Sequence, residues 1–160
     1  MRLSILAVGR LKAGPEKRLA EDYLTRAAGL GRKAGISRLN VQEFAESQAQ
    51  TPAARMTGEA RLLAGAVPEE AFTIVLDERG KALASEAFAV LLRRHLDSAT
   101  PEVAFLIGGP DGHAPATREA AGLLLSFGPM TWPHRLVRIM LMEQIYRAVT
   151  IIAGHPYHRS

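Results

Sequence analysis

The alternation of short apolar runs with longer helix-prone segments constrains this chain more than any other feature. Strands are predicted at residues 3–8, 39–44, 72–76, 103–107 and 124–127. Helices are predicted at residues 15–28, 52–64, 86–96, 115–123 and 133–153. Strands that are separated by helices favour a mostly parallel sheet with helices on both faces. The sequence therefore predicts an α/β fold, in a single domain of residues 1–160.

Signals at the helix ends refine these boundaries. Thr51 and Ser85 are predicted as the N-caps of the second and third helices, because their hydroxyls can accept a hydrogen bond from the first turn. Gly29 and Gly31 are expected to follow the end of the first helix. His95 and His113 are interpreted as surface residues.

The most informative loop follows the fourth predicted strand, where the apolar run 103–107 ends in the segment GGPDG at 108–112. Paired glycines let a ligand approach the backbone closely, and ligands of open α/β sheets bind beyond the carboxyl ends of strands. A tight turn with positive φ angles is the alternative explanation. The sequence contains neither the dinucleotide signature GxGxxG nor the P-loop signature.

A second irregular segment, LLSFGPMTWPH, covers residues 124–134. The Gly-Pro pair and the proline before the next helix prevent regular backbone between Phe127 and Trp132. Irregular backbone has free N–H and C=O groups, which can read the edge of an adenine. An ordinary loop with buried hydrophobic side chains is the alternative.

The last helix and the C-terminal tail combine apolar surface with cations. The helix is apolar on two faces, which is typical of a helix that is central in its domain or packs against another subunit. Arg147 is predicted either to contact an anion or to pair with Glu143 one turn earlier. The tail, HPYHR at 155–159, offers an aromatic ring and an arginine for nucleic acid, unless it is simply a solvated terminus.

Composition narrows the possible chemistry. The chain has no cysteine, which excludes disulfides, thiolate metal sites and a cysteine nucleophile. A net charge of +4 favours anionic partners, although arginine-rich codon usage would also produce it. No apolar stretch is long enough to span a bilayer. The lack of cysteine is compatible with a reducing cytoplasm, where the protein is expected to act. His155 and His158 lack a nearby acid or third ligand, and no metal is expected.

Five segments together resemble a known family. They occur in order along the whole chain: Ala7-Val8-Gly9 with Leu11-Lys12, IGGPDG at 107–112, LSFGPMTWPH at 125–134, EQIYRA at 143–148 and HPYHR at 155–159. This combination resembles the RlmH family of bacterial ribosomal RNA methyltransferases, in the SPOUT (α/β-knot) superfamily. The resemblance implies a trefoil-knotted C-terminal half and a homodimer. It also implies S-adenosylmethionine-dependent methylation of N3 of a pseudouridine in 23S ribosomal RNA, with the assembled ribosome as the expected substrate.

The resemblance further implies which residues form the site. The cofactor positions that carry over are Leu76, Gly108, Phe127, Gly128, Pro129, Met130, Thr131 and Trp132. The candidate catalytic residues are His158 as the base, Arg159 and Arg147 as stabilisers of the developing charge, and Tyr157 and His134. The tail is expected to reach the cofactor pocket of the partner subunit.

Two other functions compete with this one. The first is a non-catalytic RNA- or ribosome-binding module that has kept the α/β-knot fold, and absence of S-adenosylmethionine binding would favour it. The second is an anion-handling α/β enzyme that uses loop 108–112 for phosphate at a helix N-terminus.

Overall fold

The computed structural model describes residues 1–158, and it contains a five-stranded sheet in the order β2-β1-β4-β3-β5. All strand pairs are parallel. The strands are β1 (Arg2–Val8), β2 (Arg38–Phe44), β3 (Ala71–Ala82), β4 (Glu102–Ile107) and β5 (Leu123–Ser126). The helices are α1 (Pro15–Gly31), α2 (Pro52–Ala66), α3 (Ser85–Asp97), α4 (Pro115–Glu119) and α5 (His134–Ile152). The predicted parallel α/β sheet is confirmed.

Two hydrophobic cores cover the two faces of the sheet. Side chains alternate between the faces of a strand, so β1 contributes to both cores. Leu3 and Ile5 belong to the larger core, which is closed by α1, α3 and α5. Leu6 and Val8 belong to the smaller core, which includes Leu63 of α2. Because β1 and β4 are central and buried on both faces, they read in sequence as continuous apolar runs.

The helix α5 packs against both α1 and α3. Ile139, Met142, Tyr146 and Val149 are buried, although they lie largely off the i, i+3, i+4 stripe of the sequence. A helix that contacts two neighbours needs two apolar faces. The position of α5 between α1 and α3 therefore explains its composition.

The structure corrects two of the predicted helix ends and confirms one cap. The helix α1 continues past the predicted end at residue 28 to Gly31, and the Cβ position of Gly29 faces open space. Ser85 is not an N-cap: it is the first residue of α3, and its hydroxyl donates to Gln144 Oε1 at 2.8 Å. Thr51 is confirmed as the cap of α2, since its side chain accepts from Ala54 N at 3.2 Å.

The short helix α4 ends at Glu119, four residues before the predicted boundary at 123. From Leu123 onward the chain must be extended, because β5 pairs there with β3. The first residue pair of this contact is Ile74 with Leu123. The backbone N–H of Gly122 donates to Thr73 Oγ1 at 3.2 Å just before that pairing. Strand pairing therefore takes precedence over helix propensity in this segment.

Candidate active site

A cavity of about 270 Å³ opens at the carboxyl ends of β4 and β5, beside the middle of the long strand β3. Its floor contains Leu76, Ile107 and Leu125, which are 8%, 2% and 3% exposed. Its walls come from residues 77–79 within β3, from 108–113 after β4, and from 126–134 at the end of β5 and beyond it. This is the edge of an open α/β sheet at which ligands bind.

The structure brings the predicted cofactor positions together. The residues that line the cavity include Leu76, Gly108, Phe127, Gly128, Met130, Thr131 and Trp132. Pro129 belongs to the same loop but does not line the cavity. The predicted irregularity of this loop is confirmed, because residues 127–133 lie outside helix and strand and Gly128 has a φ of 105°.

The tight turn that the sequence offers as an explanation of the glycine loop is present, and the approach of a ligand to its backbone stays a prediction. The loop is a tight turn in which Gly112 N donates to Gly109 O at 3.0 Å and Gly112 has a φ of 81°. A Cβ at Gly108 would lie 3.1 Å from the carbonyl carbon of Gly112, and one at Gly109 would lie 2.8 Å from Glu59 Oε2. The paired glycines thus make room for the loop itself, while Gly108 also lines the cavity.

The helix α2 fixes this loop from outside the cavity. The guanidinium of Arg55 forms two hydrogen bonds with Asp111, at 2.6 and 3.1 Å, and this pairing lowers the pKa of the Asp111 carboxyl. Glu59, which is 3% exposed, accepts from Ser47 N at 3.0 Å and packs beneath Gly109. The sequence analysis did not identify Arg55 or Glu59 as residues of the site. Their spacing of four residues, which places both on one face of α2, was the only sequence signal of a shared role.

His113 is buried, so its interpretation as a surface residue is wrong. It is 3% exposed and lines the cavity, because the turn at 109–112 folds the chain back against the ends of β3 and β4. Burial lowers the pKa of His113, which keeps the ring neutral at neutral pH. Arg118 donates to the carbonyl of His113 and lies 3.6 Å from Asp77 Oδ2, so α4 also braces this wall.

His134 is the predicted catalytic residue that the structure places in the cavity wall. Its Nε2 lies 3.5 Å from Glu46 Oε1. Burial lowers the pKa of His134 more than the nearby Glu46 carboxylate raises it. The ring is therefore neutral at neutral pH and is able to accept a proton.

Arg138 holds the start of α5 against the carboxyl end of β1. Its side chain is fully buried and donates to Gly9 O at 2.7 Å, to Val8 O at 3.3 Å and to the Glu43 carboxylate. Glu43 also accepts from Leu11 N at 3.0 Å. This network places the β1–α1 loop beside His134, whose Nε2 would lie 2.9 Å from a Cβ at Gly9.

The structure places three of the four remaining candidate catalytic residues outside the lining of the cavity. Arg147 pairs with Glu143 at 2.5 Å, as one of the two predicted alternatives requires, and its guanidinium carbon lies 5.2 Å from the centre of the Tyr157 ring. His158 Nε2 lies 3.0 Å from Glu86 Oε1. Neither Arg147, Tyr157 nor His158 lines the cavity, and Arg159 lies outside the described residues.

Within residues 1–158 no helix is both long and apolar enough to cross a membrane. The same residues contain no group of three or more histidine, aspartate or glutamate side chains that could hold a metal ion.

The similarity of this chain to known proteins defines both its class and its family. A family model described as a predicted SPOUT methyltransferase matches residues 1–158, and the parallel sheet fits the α/β-knot fold of that class. A ribosomal RNA large subunit methyltransferase H from Rhodopseudomonas palustris is 55% identical over 160 residues, which are 100% of both chains. A protein of the same name from Brucella anthropi is 50% identical, again over 100% of both chains. The chain belongs to the RlmH family of SPOUT methyltransferases, as its motifs indicate.

Among solved structures, a probable methyltransferase from Bordetella pertussis Tohama I is 14% identical to this chain. The match covers 92% of this chain and 95% of that one, with a TM-score of 0.49. This likeness is too weak to bear on the site.

Proposed function

We propose that this chain methylates N3 of a pseudouridine in 23S ribosomal RNA, with S-adenosylmethionine as the methyl donor. The names of its relatives support a ribosomal RNA substrate. The observation that carries the proposal is the cavity, in which Leu76, Gly108 and the loop 127–132 meet at one edge of the sheet.

The residues of the cavity fit this cofactor. Leu76, Ile107 and Leu125 provide an apolar floor for a purine ring, and the irregular backbone of 127–133 provides main-chain groups for its polar edge. The cofactor, when bound, supplies a methyl group that its sulfonium already activates. The protein therefore has to align the acceptor with that methyl group and to remove one proton.

Removal of that proton requires a base, because N3 of pseudouridine is a weakly acidic imide. His134 lies in the cavity wall and has a neutral ring that can accept the proton. The Glu46 carboxylate lies 3.5 Å from Nε2 and would stabilise the imidazolium that His134 becomes when it accepts that proton. His158 of the tail is the second candidate base. Arg147 and Arg159 are the candidates that stabilise the imidate, and Tyr157 is a candidate for contact with the substrate.

We further propose that the protein acts as a homodimer in which each tail completes the site of the other subunit. Leu19 on α1 and Leu136 on α5 are 45% and 39% exposed. An apolar hollow of about 620 Å³ lies between α1, α3 and α5, and it shares residues 125–128 with the cofactor cavity. A second copy of the chain on this face would bury the hollow and bring its own tail close to the cavity.

The assembled ribosome is the proposed substrate. A single domain of 160 residues has little surface with which to recognise a long free RNA, whereas a folded particle presents its target in a fixed shape. The net charge of +4 suits an RNA-rich surface. A ribosomal substrate also implies a cytoplasmic location.

Methyl transfer to ribosomal particles tests the proposal directly. Particles from a strain that lacks the enzyme are incubated with the protein and labelled S-adenosylmethionine, and the product is mapped by mass spectrometry. We expect one methyl group per large subunit, at N3 of a pseudouridine. Lack of transfer to every particle would refute the activity, and lack of cofactor binding in calorimetry would favour the non-catalytic binding module.

A further inference from the structure

Two large apolar side chains are exposed at the opening of the cavity. Met130 and Trp132 are 69% and 40% exposed, whereas Leu76 and Leu125 on the floor are 8% and 3% exposed. Both exposed side chains line the cavity. An indole usually buries most of its area, so an exposed tryptophan beside a ligand cavity indicates a contact surface.

Exposed cations lie near this apolar surface. Arg79 is exposed and lines the same cavity. Arg10 is exposed and directly follows Gly9, whose Cβ position is 2.9 Å from His134 Nε2 in the cavity wall. An aromatic ring with arginines beside it is the arrangement by which proteins bind single-stranded nucleic acid, since the bases stack and the phosphates meet positive charge.

The burial of the cavity side chains separates the contacts that are available to the two proposed substrates. The side chains on the floor are almost completely buried, so a methyl acceptor must approach a cofactor bound there from the open side. Met130 and Trp132 are the apolar side chains exposed at that opening. A flipped nucleotide that reaches the cofactor therefore passes against them.

We propose that the indole of Trp132 stacks on the target nucleobase of the RNA and holds it in line with the methyl group. This inference rests on the proposed function and deepens it. It assigns the side chain of Trp132 to the acceptor, while the main chain of the same loop keeps its proposed role toward the cofactor. Trp132 thus acts as a positioning residue for the RNA.

Substitutions that keep or remove the aromatic ring test this inference. For Trp132→Leu we expect kcat/KM for ribosomal particles to fall by about 5- to 150-fold, the range that base–aromatic stacking supports. Trp132→Phe and Trp132→Tyr should recover most of that loss, and the calorimetric Kd for S-adenosylhomocysteine should stay within a factor of two in all three variants. Leu62→Ala is the matched control, because Leu62 is 48% exposed on α2 and does not line the cavity.

Fluorescence gives an independent readout, because Trp132 is the only tryptophan of the chain. Emission should be quenched by a short oligoribonucleotide that contains pseudouridine, added in the presence of S-adenosylhomocysteine. Quenching by S-adenosylhomocysteine alone would overturn the inference in favour of adenine stacking. A blue shift that depends on protein concentration would overturn it in favour of a subunit contact.

The two proposals fail in different ways. A wild-type protein that transfers no methyl group to ribosomal particles refutes the proposed function. An active wild-type protein with an equally active Trp132→Leu variant refutes only the stacking inference.

Discussion

The proposed cofactor cavity and the C-terminal tail are held in place by contacts of different kinds. The cavity has a floor of buried strand residues, and its glycine loop is fixed by the paired guanidinium of Arg55 and carboxylate of Asp111. The tail is held by His158 Nε2 against the Glu86 carboxylate, a side chain that is 60% exposed, by a hydrogen bond from Tyr157 to Glu143 at 3.4 Å, and by the ring of Tyr157 against that of Tyr146 at 4.5 Å. A contact with an exposed carboxylate such as Glu86 contributes at most about 1 kcal/mol.

This difference suggests that cofactor binding and methyl transfer are separable. One chain is sufficient to build the cavity, whereas Tyr157 and His158 of the tail do not line it. Changes in the tail should therefore abolish transfer and spare cofactor binding. Changes in the cavity should impair both.

Removal of residues 155–160 should have the largest effect. Loss of the candidate residues Tyr157, His158 and Arg159 is expected to reduce transfer by about 10³-fold or more, while the proposed dimer stays folded and binds cofactor. Transfer assays, light scattering and calorimetry measure these three properties. Full activity of the truncated protein would show that the cavity is sufficient without the tail.

A mixed dimer sharpens the same comparison. One chain lacks the tail, and the other keeps it but cannot bind cofactor. If the tail acts in trans, the intact tail completes the only site that holds cofactor, and about half of the wild-type activity remains. An inactive mixed dimer would show that each tail serves its own chain.

Replacement of His134 by glutamine should have the next largest effect. If His134 is the base, kcat should fall by about 10²- to 10³-fold. Burial lowers the pKa of His134, so the wild-type rate should stay constant as pH falls through about 6.5, the ordinary histidine value, and decrease only below it. This acid limb should disappear in His134→Gln, and its persistence would assign the base to another group such as His158.

The ion pair of the buried Arg138 with Glu43, between α5 and the end of β1, predicts a loss of stability when Arg138 is replaced. Arg138→Met leaves the Glu43 carboxylate and two strand-end carbonyls without their donor, which should lower the free energy of unfolding by about 3 kcal/mol. Urea denaturation measures it. Arg135→Met is the matched control, because Arg135 is 45% exposed and its pairing with Glu16 is 3.8 Å long, and it should change stability by less than about 0.5 kcal/mol. Equal effects of the two variants would contradict the clamping role of Arg138.

Gly109→Ala should have the smallest effect of the series. The added methyl group would meet Glu59 Oε2 at 2.8 Å and Val8 Cγ1 at 3.1 Å, which should cost about 1–3 kcal/mol and weaken cofactor binding. Gly29→Ala in α1 meets nothing within 4 Å and should be neutral or stabilising by up to about 1 kcal/mol. Thermal unfolding and calorimetry distinguish the two variants. Unchanged stability and cofactor binding of Gly109→Ala would show that the loop shifts to accommodate the methyl group.

The elements of the fold could be predicted because the central strands are short, continuous and apolar. Boundaries failed where tertiary contacts decided them, as at Gly122, where pairing with β3 ends α4 early. The two loops of the cavity, at 108–113 and 127–133, could be predicted because glycine and proline interrupt regular backbone there. Residues 77–79 lie within β3, whose continuation to Ala82 the apolar run 72–76 does not predict.

The supporting residues of the site could not be predicted from the sequence. Arg55 contacts Asp111 across 56 positions of the chain, and no local pattern reveals such a pairing. His113 looks like a surface residue in a polar loop, and only the turn at 109–112 buries it. The burial of Arg138 likewise depends on a loop that lies 129 residues earlier.

The distance in sequence between Arg138 and Gly9 has a consequence for folding during synthesis. Arg138 on the last helix donates hydrogen bonds to the carbonyls of Val8 and Gly9, so these bonds cannot form until the carboxyl-terminal part of the chain has been made. Domains generally fold as units during synthesis. The carbonyls of Val8 and Gly9 obtain their side-chain donor only after residue 138 has been synthesised. A chain that stops before the last helix would therefore lack the element that closes the fold, and would be a substrate for proteases.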